Sequence, residues 1–243
     1  MIFFGFILLI VGAILFFVQR NQNQRLFSLK SARFMTTAEL ASTVGAVANE
    51  IGGGSWRDYV KLWGEVVADP PLYSEHTQAP CVHYSARVRR EFEETETTRT
   101  NDGSTQSKRQ RKSETVTDQR QSIPFWLRDR TGTVKVDPDG ADIETISVLD
   151  EFRAEPSGQT LGYRYQESLL PVGRSVLVVG AASDLTGEVI IGKPVKSGHK
   201  YIISLKDEER LATATTHSAK TTFYAMVACL IGGVMLLLVG LLS

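Results

Sequence analysis

Cysteine is almost missing from this chain: Cys81 and Cys229 are the only two among 243 residues. Cys229 lies inside an apolar run, so no disulfide framework holds a domain together, and a reduced compartment is permitted. Net charge is missing as well. The 27 basic and 27 acidic residues cancel, which removes any global field drawing the chain to an acidic surface, and no nucleic-acid partner is expected. Short catalytic signatures are also lacking. There is no Gly-x-Ser-x-Gly elbow, no glycine-rich phosphate cradle followed by lysine, and no CxxC or HxxxH pair. Spacing alone therefore points to no catalytic residue and no cofactor.

What is present stands out at the two ends. Ile2–Val18 and Phe223–Leu242 are uncharged apolar runs separated by a long polar segment. A helix rises about 1.5 Å per residue and a bilayer's hydrocarbon is roughly 30 Å thick, so the second run spans comfortably and the first sits near the lower limit. No Lys or Arg precedes the first run and no small-x-small site follows Gly12-Ala13, which favours a retained anchor over a cleaved signal. Arg20, Arg25, Lys30 and Arg33 follow the first run, and Lys206, Arg210 and Lys220 precede the second. Cations beside a span resist translocation, so both termini are expected outside and the middle segment in the cytoplasm. In a bacterium the membrane would be the plasma (inner) membrane.

Within the middle segment, Thr36-Thr37-Ala38-Glu39 reads as a capping box. Leu40, Val44, Val47 and Ile51 then line one face of a helix that should end at Gly52-Gly53-Gly54, with its stripe packed on the following domain. From Tyr59 the pattern becomes β-rich. Strands are predicted at Tyr59–Val67, Cys81–Val88, Ser175–Gly180, Glu188–Ile191 and Tyr201–Leu205. Ile123–Leu127 and Val134–Val136 should form a hairpin around Asp129-Arg130-Thr131-Gly132, with Gly132 free to take positive φ.

The expected fold class is mainly β (α+β): a small partly closed barrel or sandwich with one preceding amphipathic helix, flanked by two transmembrane helices. The corresponding units are spans at 2–18 and 223–242, a linker and helix at 19–58, and a β domain at 59–211. Residues 93–122 form a polar excursion, mobile or ribbon-like, in which Val116 is the only apolar side chain. Lys108, Arg109, Arg111 and Lys112 within it make a basic cluster that could meet lipid phosphates or an acidic partner. Acidic residues elsewhere in the stretch favour a solvated tip.

No metal site is expected. Cys81 and His83 have the spacing for one side of a strand, but His76, His199 and His217 are scattered, and a buried Cys81 with a strand-surface His83 is the better account. Asp137-Pro138-Asp139-Gly140-Ala141-Asp142 lacks the regular ligand series of a calcium loop and reads as a turn.

Several short blocks together carry a resemblance. They are Pro71-Leu72, Ala79–Tyr84, Ile123–Asp129, Gly132–Pro138, Glu167–Gly173 and Tyr201–Ser204. Their order, between two spans, resembles the GIDE domain, also called the beside-a-membrane (BAM) domain, of organellar membrane E3 ubiquitin or SUMO ligases. The resemblance covers roughly residues 59–211 and both spans. It implies a membrane-tethered domain that recognises something beside the bilayer. In the organellar relatives a RING finger recruits the conjugating enzyme, and a cross-braced RING needs eight Cys/His-type ligands for two zinc ions. Two cysteines and four histidines cannot supply that set, so a short form without the RING is expected.

The leading expectation is thus a non-enzymatic interaction module, partnered by the lipid bilayer and by a protein or lipid ligand. An E3-type transferase is the alternative, and a homo-oligomer built through the spans is a third reading, resting weakly on Ile231-Gly232-Gly233 and Gly240. The resemblance singles out Pro124, Phe125, Trp126 and Glu167 as interaction candidates. Their bland readings are core aromatics and a carboxylate that accepts hydrogen bonds in a turn.

Overall fold

A computed structural model describes residues 2–54, 56–99, 105–185 and 187–242. In chain order the elements are α1 (Ile2–Ser31), β1 (Arg33–Phe34), α2 (Thr37–Ile51), β2 (Arg57–Val67), β3 (Leu72–Tyr73), β4 (Pro80–Arg99), β5 (Thr105–Ser122) and β6 (Phe125–Arg128). They continue with β7 (Thr133–Val136), β8 (Asp142–Ile143), β9 (Ile146–Ser157), β10 (Thr160–Pro171), β11 (Ser175–Ser183), β12 (Ile190–Gly192), β13 (Ile202–Ser204) and α3 (Glu208–Leu242).

Strands β2, β6, β7, β12 and β11 pair in that order, and β11 pairs back onto β2, closing a five-stranded barrel. Closure brings backbones close at Gly64, where a Cβ would lie 2.7 Å from the Arg128 carbonyl oxygen. Alternate residues of these strands fill the interior: Val60, Leu62, Val66, Phe125, Leu127, Val134, Val136, Val176, Val178 and Ile191. Leu40 of α2 and Met35 plug the same core, so the expected stripe packs on the domain at its first residue; Val44 is buried as well and Val47 is half-buried. The capping box forms as read, with the Glu39 amide donating to Thr36 Oγ1 and the Thr36 amide donating to the Glu39 carboxylate. Gly52 ends the helix at φ 88°.

The predicted hairpin is present as β6–β7, but Gly132 does not use positive φ. Its smallness serves contact instead: an added Cβ would sit 3.1 Å from Thr37 Oγ1. Asp129 organises the turn, accepting from the amides of Thr131 (2.7 Å) and Gly132 (3.0 Å) and from the amide (2.8 Å) and hydroxyl (2.6 Å) of Thr37 at the start of α2. Burial alone would raise its carboxyl pKa, but these donors outweigh burial and hold it far below the usual range.

Strand β11 explains the uninterrupted apolar run in its sequence. Val176 and Val178 point into the barrel, whereas Leu177 and Val179 point outward and meet Leu29 and Ala32 at the end of α1 and Leu211 of α3. Both long helices are therefore docked on the outer barrel wall. The apolar stretch of α1 ends at Val18, yet the helix continues to Ser31, since Gln19–Ser31 holds neither Pro nor Gly to stop it. Each long helix is long and apolar enough to cross a membrane, with mean hydropathy 2.2 and 2.4 over the most apolar windows.

The two helices lie side by side. A Cβ added to Gly233 of α3 would come within 3.1 Å of the Gly5 carbonyl oxygen and 3.0 Å of Leu9, so small residues permit this approach within one chain. Gly233→Leu is expected to cost about 1–3 kcal/mol through overpacking. A lowered thermal midpoint of the detergent-solubilised chain would register it.

Candidate functional site

The second sheet is what distinguishes this fold from a bare barrel. Its order is β3-β4-β10-β9, with β5 pairing along the same edge of β4 that β3 begins. Only the base of this sheet is covered. Val82 and Leu170 join the barrel core, while Cys81, Tyr84, Ala86 and Leu169 form a separate small cluster with Leu72 and Ile146. Beyond that base, β4, β5, β9 and β10 extend away with half-buried or exposed side chains on both faces. The β9–β10 hairpin is absent from the strand predictions because its residues alternate charge and aromatic groups without a continuous apolar face.

Pairing register assigns the two faces. Val88 lies opposite Tyr165, Arg90 opposite Tyr163, and Phe92 follows on the same side. The Arg90 guanidinium sits 4.7 Å from the Phe92 ring centroid, and that of Arg153 sits 4.6 Å from the Tyr165 ring. The opposite face is a charge lattice. Arg164 bridges Glu91 and Asp150, each at 3.0 Å, and Arg87 pairs with Asp118 at 2.8 Å.

The polar excursion at 93–122 is a paired β-ribbon over its described residues; residues 100–104 lie outside them. Its acidic strand faces its basic strand. Glu93 lies opposite Arg111, Thr95 opposite Arg109, and Lys112 is ion-paired with Glu94. Arg109, Arg111 and Lys108 are exposed, but local acids screen the cluster.

The eight residues picked from the sequence do not converge. Phe125 is 1 % exposed and belongs to the barrel core, whereas its neighbours Pro124 and Trp126 face outward, Trp126 at 42 % exposed. Glu167 is 2 % exposed at the foot of the sheet. Its carboxylate accepts from the His76 amide (2.7 Å), the Thr77 amide (3.0 Å), the Ser74 hydroxyl (3.0 Å) and the Thr77 hydroxyl (2.5 Å). Burial pushes this carboxyl up, and the four donors overcome it and hold the pKa below the ordinary value. Glu167 is thus the lock of the 74–78 turn.

Cys81 and His83 do not act together. Cys81 is fully buried beside Tyr84 and Leu169, and His83 shares a hydrogen bond of 2.7 Å with Ser122. Burial, reinforced by the Glu167 charge, pushes the Cys81 thiol up to about 11. In a Cys229→Ala background, maleimide near pH 8 should leave Cys81 unmodified until the chain is unfolded; rapid native labelling would contradict this burial. Among the described residues, no group of three or more His, Cys, Asp or Glu side chains could hold a metal ion.

Sequence reading missed Lys61. In strand β2 it is 7 % exposed, and its ammonium donates to the Leu29 carbonyl at 2.9 Å and to Glu208 at 2.5 Å. One buried cation thereby joins the barrel to the end of α1 and the start of α3. The available signal was a lysine set between the core residues Val60 and Leu62, in the apolar stretch Tyr59–Trp63 of the strand.

A family model named GIDE, described as E3 ubiquitin ligase, matches residues 93–240, more than half of the chain. No curated protein and no solved structure matches it.

Proposed function

Because this chain belongs to the GIDE family, we propose that it is a membrane-tethered, non-enzymatic interaction module that offers its projecting sheet to a protein partner. The carrying observation is the sheet β5-β4-β10-β9, which leaves the barrel with both faces uncovered and sets arginines against aromatic rings. Arginine and tyrosine are enriched at the energetic centres of interfaces because they combine area, hydrogen bonding and low ordering cost. Cations beside both apolar helices support a cytoplasmic sheet with both termini across the membrane. Protease protection of the sheet in sealed, right-side-out vesicles is the expected result.

The reading is tested by crosslinking in native membranes. Partners captured by the intact chain should be lost with the double variant Tyr163→Ala/Phe92→Ala and retained with Lys108→Ala/Arg109→Ala. An unchanged set after removal of the aromatic pair overturns the assignment of this face.

The family description favours a second reading, as part of an E3 ubiquitin ligase. Reconstitution of this chain with activating enzyme, conjugating enzyme and ubiquitin decides between them. Zinc-dependent transfer by the chain alone would replace the non-enzymatic reading.

A further inference from the structure

Where α1 leaves its apolar stretch, three cations line a cavity of about 580 Å³. Its walls include Asn21 and Arg25 of α1, Gly140 and Asp142 at the β7–β8 turn, and Lys193 and Lys200 from the loop joining β12 to β13. Arg25, Lys193 and Lys200 face a single lining carboxylate, Asp142, which lies 3.4 Å from Arg25. The Arg25 Nε is buried without a hydrogen-bond partner. Among the described residues no carboxylate pairs with Lys193 or Lys200.

The loop bearing those lysines is fixed to the helix. His199 stacks between Tyr59 of the barrel and Phe27 of α1, at 4.1 and 5.9 Å between ring centroids. The Lys200 amide donates to Ser28 Oγ at 2.8 Å, and the Tyr59 hydroxyl donates to the Lys200 carbonyl at 2.6 Å. Lys193 runs across Gly140, whose positive φ of 74° and missing Cβ leave room for the lysine chain. Between Lys193 and Lys196 the loop exposes Val195, 89 % accessible. An apolar tip flanked by lysines suits the interfacial layer of a bilayer.

Depth fixes the occupant. With a rise of about 1.5 Å per residue, Asn21 and Arg25 lie roughly 5 and 10 Å beyond Val18, the level of lipid headgroups when Ile2–Val18 fills the hydrocarbon. We propose that this cavity binds the phosphodiester headgroup of an anionic membrane lipid, held by Arg25, Lys193 and Lys200. The proposal rests on α1 and α3 spanning the membrane. It concerns residues other than those of the sheet offered to protein.

The full chain is incorporated into nanodiscs of phosphatidylcholine alone and of phosphatidylcholine with phosphatidylglycerol, and lipid retained after release is read by native mass spectrometry. Entry into either disc reports on the spans, independently of lipid preference. Phosphatidylglycerol should be retained about tenfold over phosphatidylcholine relative to the disc composition, a preference that two well-placed cations can supply. Lys193→Ala/Lys200→Ala should reduce the ratio to near unity, and Lys108→Ala/Arg109→Ala should leave it unchanged. Asp142→Asn should raise it, the opposite of what damage to the fold would produce. Equal retention of both lipids by the inserted wild-type chain, or displacement of phosphatidylglycerol by glycerol phosphate at matching concentration, overturns the lipid site. Failure to enter either disc overturns the spans and the site together.

Discussion

Glu167→Ala is expected to lower the thermal midpoint of the full chain in detergent by about 10 °C, equivalent to roughly 3 kcal/mol. The substitution removes an acceptor from four donors at once, namely the amides of His76 and Thr77 and the hydroxyls of Ser74 and Thr77. Buried donors stripped of partners cost more than the net worth of the bonds they made. Glu167→Gln should cost less, because its carbonyl can replace Oε2, which takes three of the bonds. It is not neutral, since its amide group would then confront the His76 N–H. Acid titration gives a second check. A carboxyl whose folded pKa is depressed contributes stability that is fully present above its unfolded value, near 4.5, and lost as pH falls through the folded value. The wild-type midpoint should therefore fall steeply below about pH 4, and Glu167→Ala should flatten part of that slope. Asp129, also depressed, maintains the remainder. A midpoint for Glu167→Ala within a degree or two of wild type would show that the turn does not depend on this carboxylate.

Lys61→Ala is the second large expected loss, about 2–3 kcal/mol. It orphans the buried Leu29 carbonyl and leaves a void where the lysine stem lies between the outer barrel wall and the two long helices. Glu208 is half-exposed and can turn to water, so its lost partner adds little. Lys61→Met separates the contributions: the void is filled but the carbonyl remains unpaired, and the loss should be about half as great. Because Lys61 joins the barrel to both long helices, Lys61→Ala should also expose the segment around Ser31–Phe34 to limited proteolysis while the barrel remains folded. Lys61→Met and Lys61→Ala with equal midpoints would mean that packing contributes nothing at this position.

The sequence showed the barrel better than the sheet attached to it. Strands β2, β6, β7 and β11 bury apolar residues in a local pattern, so periodicity located them within a few residues. The β9–β10 hairpin carries Glu151, Arg153, Arg164 and Gln166 between its aromatic residues, and that alternation gives no apolar face to read. Of the candidate residues, Glu167 was identifiable by resemblance, but its role depends on a turn some ninety residues earlier in the chain. The basic cluster was visible as a run of cations. Its screening by Glu93 and Glu94 required knowledge of the strand register.

Local information was enough to determine the apolar ends, the capped helix after Thr36 and the mainly-β middle, because each depends on residues within a few positions of one another. Barrel closure through β2 and β11, the joining of both helices by Lys61 and the gathering of Arg25, Lys193 and Lys200 around one cavity were decided by the tertiary structure. Those arrangements depend on which distant surfaces exclude water together and which buried polar groups then find partners, and no local periodicity encodes either.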